Sequence, residues 1–367
     1  MRRLVSSMGA AAVASCLLLL GPQELSGRDE PYLSVRTGLK CSQCHVNKTG
    51  GGGRTDFGSI YAQTRLSMVQ FKFVKRSLND FLSIGANFRV LASGTARDAT
   101  EAVPRSSIEI TEQSLQLEAR VIRNFLTLYV DQLLGPSGAS TREAFALFGN
   151  GSLPLEGYVK AGKFFLPYGL RLVDDGEFTR ARTGFNYDTP DIGVELGIEP
   201  GPLSFFVSFS NGTQGASEDN SGKQIAGSAA LIFRRFRFGA SASRNDAPDA
   251  RRDVVGGFGG FNVGRFTFLG ELDYIFDSFE EREGVNQFAG FLEGDFLVIR
   301  GLNIKTTYGF LDPNRDIGEN ARVRWRFGAE VFPTQFVQAS VFYTLLEDIP
   351  QATTDIDRWS IELHVYF

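Results

Sequence analysis

Histidine, cysteine and methionine are scarce in this chain. Its 367 residues include two histidines, three cysteines and three methionines. Lys and Arg number 38 against 42 Asp and Glu, a formal net charge of −4, so the attraction that nucleic-acid binding requires is missing. Although 43% of the residues are hydrophobic, beyond the N-terminus no apolar run reaches the roughly 20 residues of a membrane-spanning helix. Cysteine is too sparse, and too clustered, for a disulfide framework.

Arg2-Arg3 followed by an apolar stretch through Leu20 reads as an export signal over residues 1–27. Cleavage is expected between about Gly21 and Gly27, without an A-x-A site. Val13-Ala14-Ser15-Cys16 loosely matches a lipoprotein site, but the four Leu after Cys16 place it inside the apolar core of the signal. Removal of the signal leaves Cys41, Cys44, His45, Met68 and His364 as the whole Cys, His and Met complement.

Three of those five form one motif. Cys41-Ser42-Gln43-Cys44-His45 is C-x-x-C-H, the spacing at which two thiols attach the vinyl groups of a haem and the following His ligates its iron. A zinc site needs about four ligands, and the mature chain offers two Cys and two His, one of them far along the sequence. A thioredoxin-like redox pair needs a βαβ context, and a simple Cys pair leaves His45 without a role. One covalent haem c, bound by Cys41 and Cys44 with His45 axial, is therefore expected. The second axial position falls to Met68 or to His364, unless it is open or taken by a lysine. Lys40, Lys48 and Arg54 are placed to meet the propionates, or stand as solvated charges. Gly50–Gly53 reads either as a loop that passes close to the porphyrin or as a flexible linker. About 30 residues separate Cys44 from the first clear strand, too few for an independent cytochrome domain. The haem must lean on the rest of the chain.

That remainder alternates with a period of two. Trp359, Ile361, Leu363, Val365 and Phe367 share one face of the last segment, and Ser360, Glu362, His364 and Tyr366 the other. Similar ladders recur from about Phe81 onward in roughly sixteen segments, with a further strand conceivable at Met68–Lys75. Long polar connections (Thr95–Ser106, Leu166–Pro190, Asn211–Gln224, Asp246–Asp253, Asp277–Val285, Pro313–Asn320, Asp348–Ile356) alternate with short ones such as Glu199–Pro202 and Arg234–Arg235. Gly (41) and Phe (33) suit close-packed strands and a lipid-facing surface. The expected fold is all-β: an outer-membrane β-barrel of about 16 antiparallel strands over 77–367, preceded by a short c-type haem-binding segment over 28–76. On the lumen face Glu271, Asp273, Glu293 and Asp295 stand near Lys305, Arg322, Arg324 and Arg326. They form either a transverse field that selects solutes or a girdle of mutual ion pairs.

The terminal Phe367 resembles the C-terminal aromatic signature of outer-membrane proteins, which implies handling by the barrel-assembly machinery. Ala161–Gly169 resembles a segment of phosphate-selective porins. Taken together, the leader, the single C-x-x-C-H and the barrel resemble the fused monohaem cytochrome c–porin family of bacterial outer membranes. The resemblance implies an outer-membrane location, with the haem segment periplasmic or in the lumen. It also implies electron transfer between an extracellular donor, ferrous iron among them, and periplasmic electron-transfer proteins. An oxidoreductase-like role in extracellular iron oxidation would follow. The alternative is a solute porin whose haem segment is a plug, sensor or docking tag.

Overall fold

The computed structural model describes residues 30–98, 105–135, 138–218, 220–349 and 355–367. The expected leader, Cys16 included, lies outside the described residues, as do parts of the loops expected at Thr95–Ser106 and Asp348–Ile356.

Sixteen antiparallel strands close into one barrel, in which β1 (Leu82–Asp98) pairs with both β2 (Ser106–Ile122) and β16 (Ile356–Tyr366). Closure leaves no unpaired sheet edge. The cause is visible in the side-chain alternation. In β16, Ser360, Glu362, His364 and Tyr366 are buried while Ile361, Leu363, Val365 and Phe367 are exposed. In β11 (Phe266–Phe279), Thr267, Glu271 and Asp273 point inward and Phe266, Phe268 and Leu272 outward. An apolar exterior around a polar interior is the inverse of a soluble core and matches a wall bathed in hydrocarbon. Ring contacts Phe261–Phe268 (5.0 Å) and Phe266–Phe296 (4.8 Å) gather outward aromatics toward one rim.

Tight turns such as 234–235, 264–265 and 300–301 occupy one end of the barrel, and the long loops 165–190 and 211–223 the other. Two expectations change. Asp246–Asp253 is no long loop, because the ladder runs to the pair Ala247↔Ala250 and leaves a two-residue turn. Met68–Lys75 adds no wall strand; Val69 makes one parallel bridge to Thr334.

The lumen is filled by two insertions. The N-terminal segment lies inside the barrel, as α1 (Pro31–Thr37), a single turn α2 (Cys41–Cys44) and α3 (Asp56–Tyr61), which widens through Ala62–Leu66. The loop 165–190, carrying α4 (Phe178–Thr183), folds inward to meet it. Both are tied to the wall by buried charge. Lys305 Nζ lies 2.6 Å from Glu30 and 2.9 Å from Glu330. Arg324 meets Asp174 at 2.7 Å and Glu177 at 2.8 Å, and Arg180 bonds Glu271. Tyr168 Oη donates to Asp273 at 2.8 Å. The opposed lumen charges are thus consumed by each other and by the insertions, as buried charges must be. Arg322 departs from this girdle: it stands half-exposed at the rim, 3.0 Å from Asp348.

Candidate functional site: a cavity between plug and wall

The C-x-x-C-H turn is built by local bonds. The Lys40 amide donates to Gln43 Oε1 (2.9 Å), and the His45 amide donates to the Cys41 carbonyl (2.9 Å). Positions three apart on one helical turn share a side, so Cys41 and Cys44, neither of them in a disulfide, face the same space. The chain then runs out from His45 and returns at Arg54, paired as a short antiparallel bridge. Thr55 caps α3 by accepting from the Gly58 amide (3.1 Å). A side chain at Gly58 would collide with the Cys44 carbonyl, so glycine lets α3 lie directly on the thiol-bearing turn.

Cys41, Cys44 and His45 open into a cavity roofed by Tyr61, Ala62 and Leu66 and walled by residues far away in sequence: Arg171, Arg237, Phe332, Gln338, His364 and Tyr366. Its lining is mainly apolar and carries the cations Lys40, Arg54, Arg171 and Arg237 against one carboxylate, Glu30, which is already paired with Lys305, an excess of positive charge that suits a flat apolar macrocycle bearing two carboxylates. The residues present fit a covalently attached haem: two thiols and an imidazole on one wall, a second imidazole on another.

His364 is that second imidazole. The inward alternation of β16 buries it to 2% exposure. Its Nδ1 lies 3.1 Å from Gln338 Oε1 and its Nε2 3.1 Å from Asn87 Oδ1. Met68 lies outside the lining. Its amide donates to the Phe332 carbonyl (2.8 Å), and its side chain packs where Gly301 leaves room. Met68 therefore pins the plug to the short-turn rim.

The expected propionate partners are differently placed. Lys40 Nζ donates to the carbonyls of Glu199 (2.6 Å) and Leu203 (2.8 Å). Lys48 lines a neighbouring recess beside Glu199. Burial lowers the Lys48 ammonium below its ordinary range, with attraction to Glu199 working against that shift. Burial likewise raises the Glu199 carboxyl, opposed first by the hydrogen bond from Ser42. Arg54, like Lys40, borders the cavity, its guanidinium 4.3 Å from the Tyr366 ring centre. The Gly50–Gly53 loop turns away from the cavity and packs on the wall, where the Gly53 amide donates to Tyr129 Oη (2.5 Å). Neither reading of that loop, porphyrin contact or free linker, matches this packing.

Arg171 and Arg237 are the cavity residues that sequence reasoning passed over. For Arg237 a signal existed: it alternates with Phe236 and Phe238, whose outward faces set it inward. Arg171 carries no such mark, since only the infolding of its loop brings it here.

No family model matches the chain, and no curated protein matches it. Solved structures do. An outer membrane protein of Vibrio cholerae, OmpT with loop L8 deleted, superposes with a TM-score of 0.63 at 13% identity, over 78% of this chain and 99% of that one. An anion-selective porin from Comamonas acidovorans gives 0.61 at 10% identity, over 78% and 99%. The outer membrane channel DcaP of Acinetobacter baumannii gives 0.56 at 12% identity, over 78% and 97%. At these identities the likeness establishes the fold, a porin-like sixteen-strand barrel.

Proposed function

We propose that the chain is an outer-membrane cytochrome–porin fusion that carries electrons between an extracellular donor and periplasmic acceptors through one covalent haem in the barrel lumen. One observation carries this reading: Cys41, Cys44, His45 and His364 border a single cavity, although His364 lies more than 300 residues from the motif. Cys41 and Cys44 would hold the group through thioethers, with His45 and His364 as the residues that would bind its iron. When bound, the haem supplies one-electron exchange at its iron. Gln338 Oε1 and Asn87 Oδ1 each lie beside one His364 nitrogen, so the ring N–H can donate to one amide oxygen, which orients the ring, while the other nitrogen serves the metal. Tyr61, Leu66 and Phe332 supply apolar surface beside the site. The short-turn end, where plug and cavity sit, is periplasmic in this reading, as tight turns are in bacterial barrels.

Simple solute diffusion, the competing reading, draws on the porins among the structural relatives. The plug and the infolded loop that share the lumen weigh against it. The deciding experiment uses protein matured in a host with cytochrome c assembly and reconstituted in liposomes that enclose a one-electron acceptor. A membrane-impermeant ferrous chelate outside should reduce the trapped acceptor, and haem staining should survive denaturing electrophoresis but be lost with both cysteines in Cys41→Ala/Cys44→Ala. Passage of small solutes with no acceptor reduction would overturn the proposal.

A further inference from the structure

We infer that Arg171 and Arg237 form a carboxylate clamp that fixes the propionates of the haem, an inference that rests on the haem reading above. The two arginines reach the cavity from different elements, Arg171 from the infolded loop and Arg237 from β9 (Phe236–Ala247). Each is only 8% exposed. Among the described residues neither has a carboxylate within 4.0 Å, and the Nε of each is buried without a hydrogen-bond partner. Their remaining contacts are weak or neutral. Arg171 Nη2 donates to the Leu166 carbonyl (2.8 Å), and its guanidinium lies over the Phe165 and Tyr187 rings at 4.9 and 5.8 Å. Arg237 Nη1 stands 4.0 Å from Cys41 Sγ, with the guanidinium 5.4 Å from the Phe258 ring centre.

Such desolvation is costly for an unpaired cation. The other arginines buried to this degree, Arg76, Arg89, Arg142, Arg180, Arg324 and Arg326, each meet a carboxylate. The two exceptions border the one cavity whose occupant would bring its own pair of carboxylates. A guanidinium offers the planar fork that a carboxylate accepts in two bonds, which a lysine cannot supply. Lys40, already bonded to two turn carbonyls, is not available for this role.

The clamp has an electrochemical consequence. A propionate held by a buried guanidinium stays ionised, so the midpoint potential should be flat with pH around neutrality. Replacing the arginine by glutamine removes a cation, which favours the ferric form and lowers the potential. It also lets the propionate titrate, and because the ferric form releases that proton more readily, the potential should then fall as pH rises. The test measures Arg171→Gln, Arg237→Gln, their lysine counterparts and the surface control Arg244→Gln, all as covalently loaded full chain. Both glutamine variants should keep denaturation-resistant haem stain, shift to lower potential and acquire the falling pH dependence, with the control unchanged. The lysine variants keep the charge but should still move the resonance Raman propionate-bending bands, so they carry the test alone if a glutamine variant does not assemble. Stained variants whose potential–pH curve and bands match the wild type overturn the clamp. Absence of stain in the wild type would instead overturn the haem reading itself.

Discussion

His364 concentrates the residue-scale argument. Buried in the barrel lumen with an amide group beside each ring nitrogen, His364 has polar neighbours without any metal. What distinguishes it is company: the cavity it borders also receives His45 and both thiols. If it is the distal ligand, haem-loaded protein should be low-spin with bis-nitrogen features, and His364→Ala should turn it high-spin, while Met68→Ala leaves the spectrum intact. A near-infrared sulfur-to-iron band that Met68→Ala abolishes would return the site to methionine. The geometry speaks against that outcome, because Met68 is bonded through its amide to the Phe332 turn and lies outside the cavity lining.

At the scale of elements, the strands were legible and the insertions were not. Period-two alternation is a local property, so the inward set of β16 and the outward phenylalanines of β11 could be read directly from residue order. The infolding of 165–190 and the threading of 30–76 through the lumen depend on partners hundreds of residues away, such as Glu30 with Lys305. No local pattern encodes those pairings. The four glycines show the gap well: composition alone permitted a linker, whereas the fold uses them as a docking loop. Gly52 has φ +65°, and a Cβ there would stand 2.6 Å from Tyr129 Oη and 2.8 Å from Glu143 Oε2. Gly52→Ala should therefore cost the plug about 1–3 kcal/mol in backbone strain alone, with the collision in addition. Limited proteolysis should cut residues 45–80 faster in this variant, while the heat-dependent gel mobility of the barrel stays as in the wild type. Equal proteolysis of both proteins would show that the loop is not a docking element.

For the whole molecule the question is whether a porin wall still conducts. The relatives it superposes on are porins and channels, and the wall alone would leave a polar passage. Here the passage is occupied twice, and each occupant is locked by desolvated ion pairs, Lys305 to Glu30 for the plug and Arg324 to Asp174 and Glu177 for the loop. Breaking one partner of such a buried pair strands the other charge and costs about 3–5 kcal/mol, so thermal opening of the intact lumen should be rare. The full chain in a planar bilayer should then show little or no ion current. Removal of residues 30–75 deletes the plug but leaves all sixteen strands, which begin at Leu82. This variant should insert, lose haem stain and conduct, with a current still limited by the infolded loop. Glu30→Gln should behave in between: it leaves Lys305 with Glu330 at 2.9 Å and Glu293 at 3.6 Å but unties the start of α1, so brief openings should interrupt a closed baseline. A full chain that conducts as freely as the deletion variant would mean that the lumen is not sealed by these contacts, and that an electron carrier and an open pore share one wall.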